Sequence, residues 1–471
     1  MKLCFSMSDA FYSPEESGSD LLLRGMFSTP PVCASLNDQA QLKAMVAFEV
    51  ALAQAEATLG LIPEEAAQGI AAHAQVENLD IPALAQEARA AGNVAIPFVK
   101  RLTALIAEQD TEAARYVHWG ATSQDVLDTA TVLQLRNAVS YIRQDCIELE
   151  HCLAGLVIKY QDTILPGRTW LQHAVPTTFG LKAAGWLTAA SDARYGLEGA
   201  LQKACMLQFG GAAGTLASLQ NRGLGVAECL ARSLDLTLPP LPWHTLRGPL
   251  VECGSALGLL CGVMGKLARD LSLMMQTEVA ELSPPGGKAQ GGSSTMPHKK
   301  NPVDCAIALS IATQAPGLVS TLFSCMVQEH ERGLGGWHAE WQTLPALLRL
   351  TAASVERMKH TVTCMQVLPA VMGHNLEKTH GLTMAESVSM ALAVQLGKEK
   401  AHHILQELSH QATDNDQPLF DFLMKDSRIT TVLSYEKISS LMNPSHYLGS
   451  SQVFCERALE AWRKRNNAEC L

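Results

Sequence analysis

The chain lacks the patterns typical of metal-binding, membrane-spanning or nucleic-acid-binding proteins. Its 13 cysteines include no C-x-x-C pair and no Cys/His spacing typical of a zinc site. No apolar run reaches the roughly 18 residues that a membrane-spanning helix needs. The formal net charge of −10 argues against a nucleic-acid surface, so any anionic substrate would need a local cluster of cations. Scattered cysteines are typical of free thiols in a reducing compartment, and we expect a cytoplasmic protein.

What the chain does have is helical periodicity, because apolar residues recur every three or four positions in several segments that contain little proline. One helix is predicted over 36–60, ending at Gly60. Helices that long must bury their apolar faces on one another, and almost no segment alternates like a strand. The chain is therefore predicted to be all-α with a central helical bundle. Five helices of 30 or more residues are predicted for this bundle, over 122–160, 178–208, 250–282, 302–332 and 338–368.

Breaks in the periodicity divide the chain into segments. Residues 1–20 lack the apolar core of a signal peptide and are predicted to form a disordered tail. An N-terminal helical domain is predicted over 21–121, followed by the bundle over 122–368, which contains a mobile glycine-rich loop at 284–300. Shorter helices return over 369–471 and are predicted to form a C-terminal helical domain.

The most specific stretch is GGSSTMPHKKNP at 291–302. Glycines before Ser293 and Ser294 favour a mobile backbone, and Lys299 adds positive charge. Asn301 is typical of a helix N-cap, so the positive end of a helix is expected to face the loop. A serine can act as a base only if its anion is stabilised, which Lys299 and the helix end would do. A flexible loop before an ordinary helix cap is the alternative interpretation.

This loop resembles the signature S-S-x-M-P-x-K-x-N of the fumarase/aspartase superfamily and matches every fixed position of it. The resemblance implies a fumarase/aspartase-like fold and an enzyme that moves a proton next to a carboxylate. It implies that Ser293 is the catalytic base or acid, and that Lys299 acts with it and, together with Asn301, binds a substrate carboxylate. Ser294 and Met296, in the same signature, are expected to contact the substrate.

A second region of resemblance, of the form H-x-G-x-T-S-x-D, begins at His118. Gly120 permits a tight turn, and the hydroxyls and amides of Thr122 and Ser123 at the start of a long helix can bind a carboxylate. His118, Thr122 and Ser123 are therefore candidate substrate-binding residues. Asp125 also gives the segment the form of a capping box, and both roles can hold together.

A third region, GRTWLQHAVP, departs from the superfamily at one position. Fumarases and adenylosuccinate lyases read G-R-T-H-x-Q here, and their histidine serves as or helps the general acid, whereas this chain has Trp170. Water, ammonia or an amine leaves poorly without a proton, while a carboxylate leaves easily. Trp170 therefore points to the opening or closing of a lactone, and His173 is not expected to take the acid role. Arg168, Thr169, Trp170 and Gln172 are expected to bind substrate.

Longer blocks resemble the bacterial 3-carboxy-cis,cis-muconate cycloisomerases of the superfamily, among them the stretches at 92–100, 273–281 and 326–341. The resemblance implies lactonisation of a small polycarboxylate in aromatic catabolism, without a cofactor or metal. It also implies a homotetramer with sites shared between subunits and no nucleic-acid or membrane partner. Arg332, in the last block, is a candidate substrate ligand or else part of a hydrogen-bond network between helices.

One position leaves the substrate open. The family commonly reads R-D-R after the W-H at 243–244, whereas this chain reads Arg247-Gly248-Pro249. Either Arg247 or another cation binds the substrate carboxylate, or the substrate differs. The alternatives are a C–N lyase acting on a succinyl-type substrate, with an amine or nitro leaving group, and a non-catalytic member of the superfamily. The intact serine loop argues against the second alternative.

Overall fold

The computed structural model describes residues 21–286, 296 and 298–468, and the chain forms two compact units. The first unit consists of the described parts of Met1–Cys146, Ala193–Gly265 and Ile307–Arg357, and the second of those of Ile147–Asp192, Lys266–Ala306 and Met358–Leu471. The predicted tail at 1–20 lies outside the described residues.

Short and medium helices precede the first long one. Asn37 starts the longest of them, since its Oδ1 accepts a hydrogen bond from the N–H of Ala40 at 2.8 Å, and Asp80 and Asp110 cap two others in the same way. The helix predicted over 36–60 is confirmed, because the structure has a helix at Asp38–Thr58. These helices are α1 Leu21–Arg24, α2 Pro30–Ser35, α3 Asp38–Thr58, α4 Glu64–His73, α5 Ile81–Ala91, α6 Ala95–Ala107 and α7 Thr111–Ala114.

Each of the five predicted long segments contains a helix, so the all-α class is confirmed. The next elements are α8 Ser123–Tyr160, α9 Phe179–Ala204, α10 Gly223–Ser233, α11 Gly248–Met274, α12 Val303–Ser324 and α13 Gly336–Cys364. The predicted length of 30 or more residues is correct only for α8, with 38 residues, and α12 has 22. The other three are also shorter than predicted, with 26 residues in α9, 27 in α11 and 29 in α13.

A β-hairpin forms where the sequence was expected to provide only a break between helices. Strand β1, Ile164–Thr169, pairs antiparallel with β2, Gln172–Thr178. The two connecting residues, Trp170 and Leu171, have φ of 52° and 66°. A two-residue connection with both φ positive is typical of a type I′ turn, whose twist matches that of the strands. Trp170 therefore lies at the tip of a hairpin, and its side chain is 97% exposed.

Shorter elements complete the second unit. Their core is a buried apolar cluster that includes Leu392, Leu405 and Leu423. The elements are β3 Leu282–Ser283, which pairs with β4 Gln366–Val367, and the helices α14 Pro369–Glu377, α15 Ala385–Leu396, α16 Lys398–Asp414, α17 Leu419–Lys425, α18 Ser427–Thr430, α19 Tyr435–Leu441 and α20 Ser451–Ala468. The described part of the predicted C-terminal domain lies within this unit, whereas each of the five long helices contributes residues to both units.

Two of the long helices, α11 and α12, are long and apolar enough to cross a membrane by length and composition alone. Buried helices of globular proteins pass the same test. In α11, 56% of the most apolar stretch is buried within the chain, but in α12 the buried share is 22%. The single chain therefore leaves apolar side chains of α12 uncovered, including those of Val303 and Phe323.

The tight turn before α8 depends on Gly120, whose φ is +72°, and a Cβ added there would lie 2.6 Å from Leu219 Cδ2. Gly92 has a similar φ of +69° but no atom within 4 Å of its added Cβ. We expect Gly92→Ala to lower the free energy of unfolding by about 1 kcal/mol, the cost of the left-handed conformation. Gly120→Ala should cost clearly more in urea denaturation, and equal losses would contradict the role of the Leu219 contact.

Candidate functional site

The site begins with a carboxylate at the start of α8. Asp125 is completely buried, and its oxygens accept hydrogen bonds from the backbone N–H groups of Gly210 at 3.0 Å, Gly211 at 2.9 Å and Thr122 at 3.0 Å. The Nε2 of His244 lies 2.8 Å from Oδ1. Hydrogen bonds to a charged acceptor are the strong ones, so Asp125 joins the turn before α8 to the 210–211 segment. The capping-box form predicted from the sequence is present in the bond to Thr122.

Arg332 binds the outer face of the same helix end. Its Nη1 donates to Thr122 Oγ1 at 2.8 Å and its Nη2 to Ser123 Oγ at 3.0 Å, while Nε lies 3.3 Å from Gln124 Oε1. The structure thus brings together three residues that the sequence proposed for substrate binding. A guanidinium and two hydroxyls at a helix N-terminus form an arrangement suited to a carboxylate. Arg332 is therefore part of a hydrogen-bond network and also a candidate substrate ligand.

His118 belongs to the same segment and pairs with a buried carboxylate. Its Nδ1 lies 2.6 Å from Oε1 of Glu49, a residue of α3 that sequence analysis missed. Burial alone would lower the pKa of His118, but the Glu49 carboxylate, and to a lesser extent Asp125, outweigh burial and raise the pKa above its ordinary value. The imidazole is therefore biased toward its cationic form.

Arg247 occupies a different position from the one expected. Its side chain is 1% exposed, and its Nη1 and Nη2 donate to the two carboxylate oxygens of Asp128 at 2.7 and 3.0 Å. Its Nε donates to Glu340 Oε1 at 3.0 Å, and the guanidinium stacks on the ring of Trp243 at 4.6 Å. All five N–H donors of Arg247 are used, since Nη1 also donates to the carbonyl of Trp243 and Nη2 to Glu340 Oε2 at 2.5 Å, so no donor is left for a substrate carboxylate. This geometry favours a structural role for Arg247, and its expected role in substrate binding stays a prediction.

Asp128 accepts further hydrogen bonds besides those from Arg247. Trp337 Nε1 donates to Oδ1 at 2.9 Å, and the side-chain amides of Gln124 and Gln208 lie 3.1 and 3.3 Å from Oδ2. Trp337 thus packs and also donates a hydrogen bond within this network. The first two turns of α8 therefore contain two buried carboxylates, Asp125 and Asp128, whose donors come from distant parts of the first unit.

The second unit contains the hairpin residues. Arg168 forms a two-point ion pair with buried Glu281, with Nη1 and Nη2 at 2.9 and 2.6 Å from its oxygens, and Asn375 Nδ2 donates to Glu281 at 3.0 Å. Arg168 thereby anchors the hairpin through Glu281. The side chains of Thr169, Trp170 and Gln172 lie at the exposed tip. The roles proposed for these residues in substrate binding remain predictions.

The serine loop is described only at its end. Ser293 and Ser294 lie outside the described residues, while Met296 and Lys299 are exposed and joined by a hydrogen bond from the N–H of Lys299 to the carbonyl of Met296 at 3.0 Å. Helix α12 begins at Val303, so the expected cap residue Asn301 lies one residue further out than predicted. The catalytic roles proposed for Ser293 and Lys299 and the binding roles of Ser294, Met296 and Asn301 remain predictions.

Comparison with known proteins gives consistent matches along the chain. Residues 25–317 match the family described as Lyase, and residues 381–458 match Adenylosuccinate lyase C-terminus. The chain is 48% identical to 3-carboxy-cis,cis-muconate cycloisomerase of Bradyrhizobium diazoefficiens over 93% of this chain and 98% of that relative. It is 39% identical to nitrosuccinate lyase of Streptomyces davaonensis over 97% of both. The crystal structure of 3-carboxy-cis,cis-muconate lactonizing enzyme from Pseudomonas putida matches with a TM-score of 0.89 and 45% identity, covering 94% of this chain and 99% of that one.

The buried position of Arg247 can be tested through stability. Arg247→Met leaves two buried carboxylates without their cation, and we expect the free energy of unfolding to fall by about 3–5 kcal/mol in urea denaturation. Arg115→Met is the control, because Arg115 pairs with Glu112 at an exposed position and its loss should cost at most about 1 kcal/mol. Unchanged stability together with a raised KM for substrate would instead place Arg247 on the substrate.

Proposed function

The chain belongs to the lyase family of the fumarase/aspartase superfamily, and from that premise we propose that it is a cycloisomerase that closes 3-carboxy-cis,cis-muconate to a carboxymuconolactone. The observation that carries the proposal is the match at 48% identity over 93% of the chain to an enzyme of that name. The similar solved structure from Pseudomonas putida, a lactonizing enzyme, supports the same activity.

Trp170 supports this reaction on chemical grounds. In lactone closure a carboxylate of the substrate is the nucleophile, and in the reverse direction it is the leaving group. A carboxylate is a weak base and departs without a proton, so the site needs no general acid at the hairpin tip. An exposed indole at that tip can pack against substrate or protein but can donate no proton at neutral pH.

The described residues suggest how a polycarboxylate would be held. We assign one substrate carboxylate to Thr122, Ser123 and Arg332, where two hydroxyls, a guanidinium and a helix N-terminus converge. A second substrate carboxylate then adds its oxygen to a carbon–carbon double bond. The electron pair of that bond moves toward a neighbouring carboxylate and gives an enolate-like dianion, which cations must stabilise.

Proton transfer completes the reaction. We assign the proton donor to Ser293, whose hydroxyl proton goes to the carbon beside the carboxylate, and the stabilising cation to Lys299. The reaction is an internal addition, so the substrate loses no group and needs no oxidant or reductant, and the Ser293 alkoxide regains its proton from solvent. In the reverse direction the Ser293 alkoxide removes the same proton, which requires that Lys299 and the loop amides stabilise the alkoxide.

A second candidate is a C–N lyase that releases nitrite. The observation in its favour is the 39% identity to nitrosuccinate lyase over 97% of both chains. Nitrite is also a weakly basic leaving group, so a site with tryptophan in place of the histidine suits it as well. An amine leaving group, as in adenylosuccinate lyase, fits Trp170 less well because an amine needs a proton.

We also propose that the protein is a cytoplasmic homotetramer with sites shared between subunits. Two observations support assembly, namely the uncovered apolar face of α12 and the exposed apolar hairpin tip at Trp170 and Leu171. Apolar surfaces of this kind usually mark contacts between proteins. The free cysteines among the described residues, six of them buried, fit a reducing compartment.

The activity is tested by following the ultraviolet absorbance of 3-carboxy-cis,cis-muconate, with nitrosuccinate, adenylosuccinate and fumarate assayed in parallel. We expect turnover of the first substrate, and Ser293→Ala should lower kcat by roughly 10²–10⁴-fold without loss of stability. Ser294→Ala is the matched control and should act mainly on KM. Faster turnover of nitrosuccinate would favour the second candidate, and near-wild-type activity of Ser293→Ala would contradict the serine role.

The assembly is tested by sedimentation at micromolar concentration, where we expect a species of four chains of 50.7 kDa each. Phe323→Glu places a charge on the uncovered face of α12 and should shift the protein toward smaller species, because burying that charge in an interface is costly. Ser324→Glu, at the neighbouring exposed position, is the control for a charge on α12 in general. A wild-type monomer would contradict the proposal.

A further inference from the structure

Two buried carboxyl groups on α3 take no part in the proposed mechanism. Glu49 and Glu56 are seven residues apart, which is two helical turns and one helix face, and both are buried. Oε2 of Glu49 and both carboxyl oxygens of Glu56 have no hydrogen-bond partner among the described residues. Unpaired buried carboxylates are costly, so a pair of them on one face of a helix requires an explanation.

The two carboxyl groups differ in their surroundings. Burial, followed by the negative charge of Glu49, raises the pKa of Glu56 to about 9. Glu56 is therefore a neutral carboxylic acid under ordinary conditions. Glu49, in contrast, has a partner, because its Oε1 lies 2.6 Å from His118 Nδ1.

The orientation of His118 follows from burial. The Glu49 side chain is 1% exposed and that of His118 is 15% exposed. Because Nδ1 faces buried Glu49, the exposed part of the ring is the opposite edge, which carries Nε2. Nε2 makes no hydrogen bond to any residue that the structure describes. The backbone turns sharply in this segment, since His118 has a left-handed φ of 60° and Gly120 one of 72°.

The charged groups that face His118 are Glu49 from α3 and Asp125 from α8. Asp125 also accepts the N–H of Thr122, so His118 and the group formed by Thr122, Ser123 and Arg332 share this carboxylate as a neighbour. Asp125 is already committed to two backbone amides and His244. Glu49 is thus the carboxylate that contributes most to the raised pKa of His118.

We propose that Glu49 is a positioning residue, whose ion pair with His118 Nδ1 presents Nε2–H of the imidazolium to a substrate carboxylate. The proposal deepens the proposed function and rests on it for the identity of the ligand. In this arrangement the His118 imidazolium is a second cation, beside Arg332, for the substrate carboxylate.

The proposal predicts a pH dependence with a definite sign. The imidazolium is present below the pKa of His118 and is lost as pH rises through it, so kcat/KM should fall on the alkaline side through a rise in KM. Glu49→Gln keeps an acceptor oxygen but removes the charge. We expect it to move this alkaline limb to lower pH by about one unit or more.

Glu56→Gln is the matched control, with the same chemical change two turns along the same helix. It replaces a neutral acid by a neutral amide, so the alkaline limb should stay at its wild-type position. An equal shift in both variants would overturn the proposal, because it would show a general effect of altering α3. A profile of Glu49→Gln that matches the wild type would overturn it as well.

The pKa of His118 can also be measured directly by NMR titration of the substrate-free protein, with His118→Gln used to assign the signal. We expect a wild-type pKa above that of an ordinary histidine, a fall of about one unit or more in Glu49→Gln, and no change in Glu56→Gln. A wild-type pKa at or below the ordinary value overturns the proposal even if Glu49→Gln does not fold. Absence of turnover of 3-carboxy-cis,cis-muconate would contradict the proposed function but leave this titration readable.

Discussion

The site depends on two carboxylates, Asp125 and Asp128, that are buried in the first two turns of α8. Burying a carboxylate is unfavourable unless donors replace its water shell, and both groups are saturated with donors. The donors of Asp125 come from the chain before α8 and from the 210–211 segment, while those of Asp128 include Arg247 and Trp337. Segments that are far apart in sequence therefore converge on one helix end.

Because these segments meet at the start of α8, the side chains of Thr122, Ser123 and Arg332 are held in defined positions. Asp125 holds the N–H of Thr122, and the hydroxyls of Thr122 and Ser123 are held by the hydrogen bonds that they accept from Arg332. Arg247 supplies positive charge below the surface and Arg332 supplies it at the surface. The same fold thus uses one arginine to stabilise the helix end and places another where we propose that it binds a substrate carboxylate. In the second unit, the Arg168–Glu281 pair anchors the hairpin that carries Trp170 in a comparable way.

Much of the fold and part of the site could be predicted from the sequence because they depend on local pattern. Helical periodicity predicted α3 and the five long helices, and the spacing of Thr122, Ser123 and Asp125 predicted the start of α8. The hairpin was missed because Pro166 and Pro176 suggest a break. In the structure they lie opposite each other in a sheet of two edge strands, where a missing N–H is tolerated.

The role of Arg247 could not be predicted, since its partners Asp128 and Glu340 are far away in sequence and only the fold brings them together. Glu49 gave a weak signal, as a carboxylate on the apolar face of a helix, but its partner His118 lies 69 residues along the chain. The most direct measurement is a crystal structure of the Ser293→Ala protein with 3-carboxy-cis,cis-muconate bound. We predict one substrate carboxylate within hydrogen-bond distance of Thr122, Ser123 and Arg332. A substrate bound with no carboxylate on these residues would contradict the central claim.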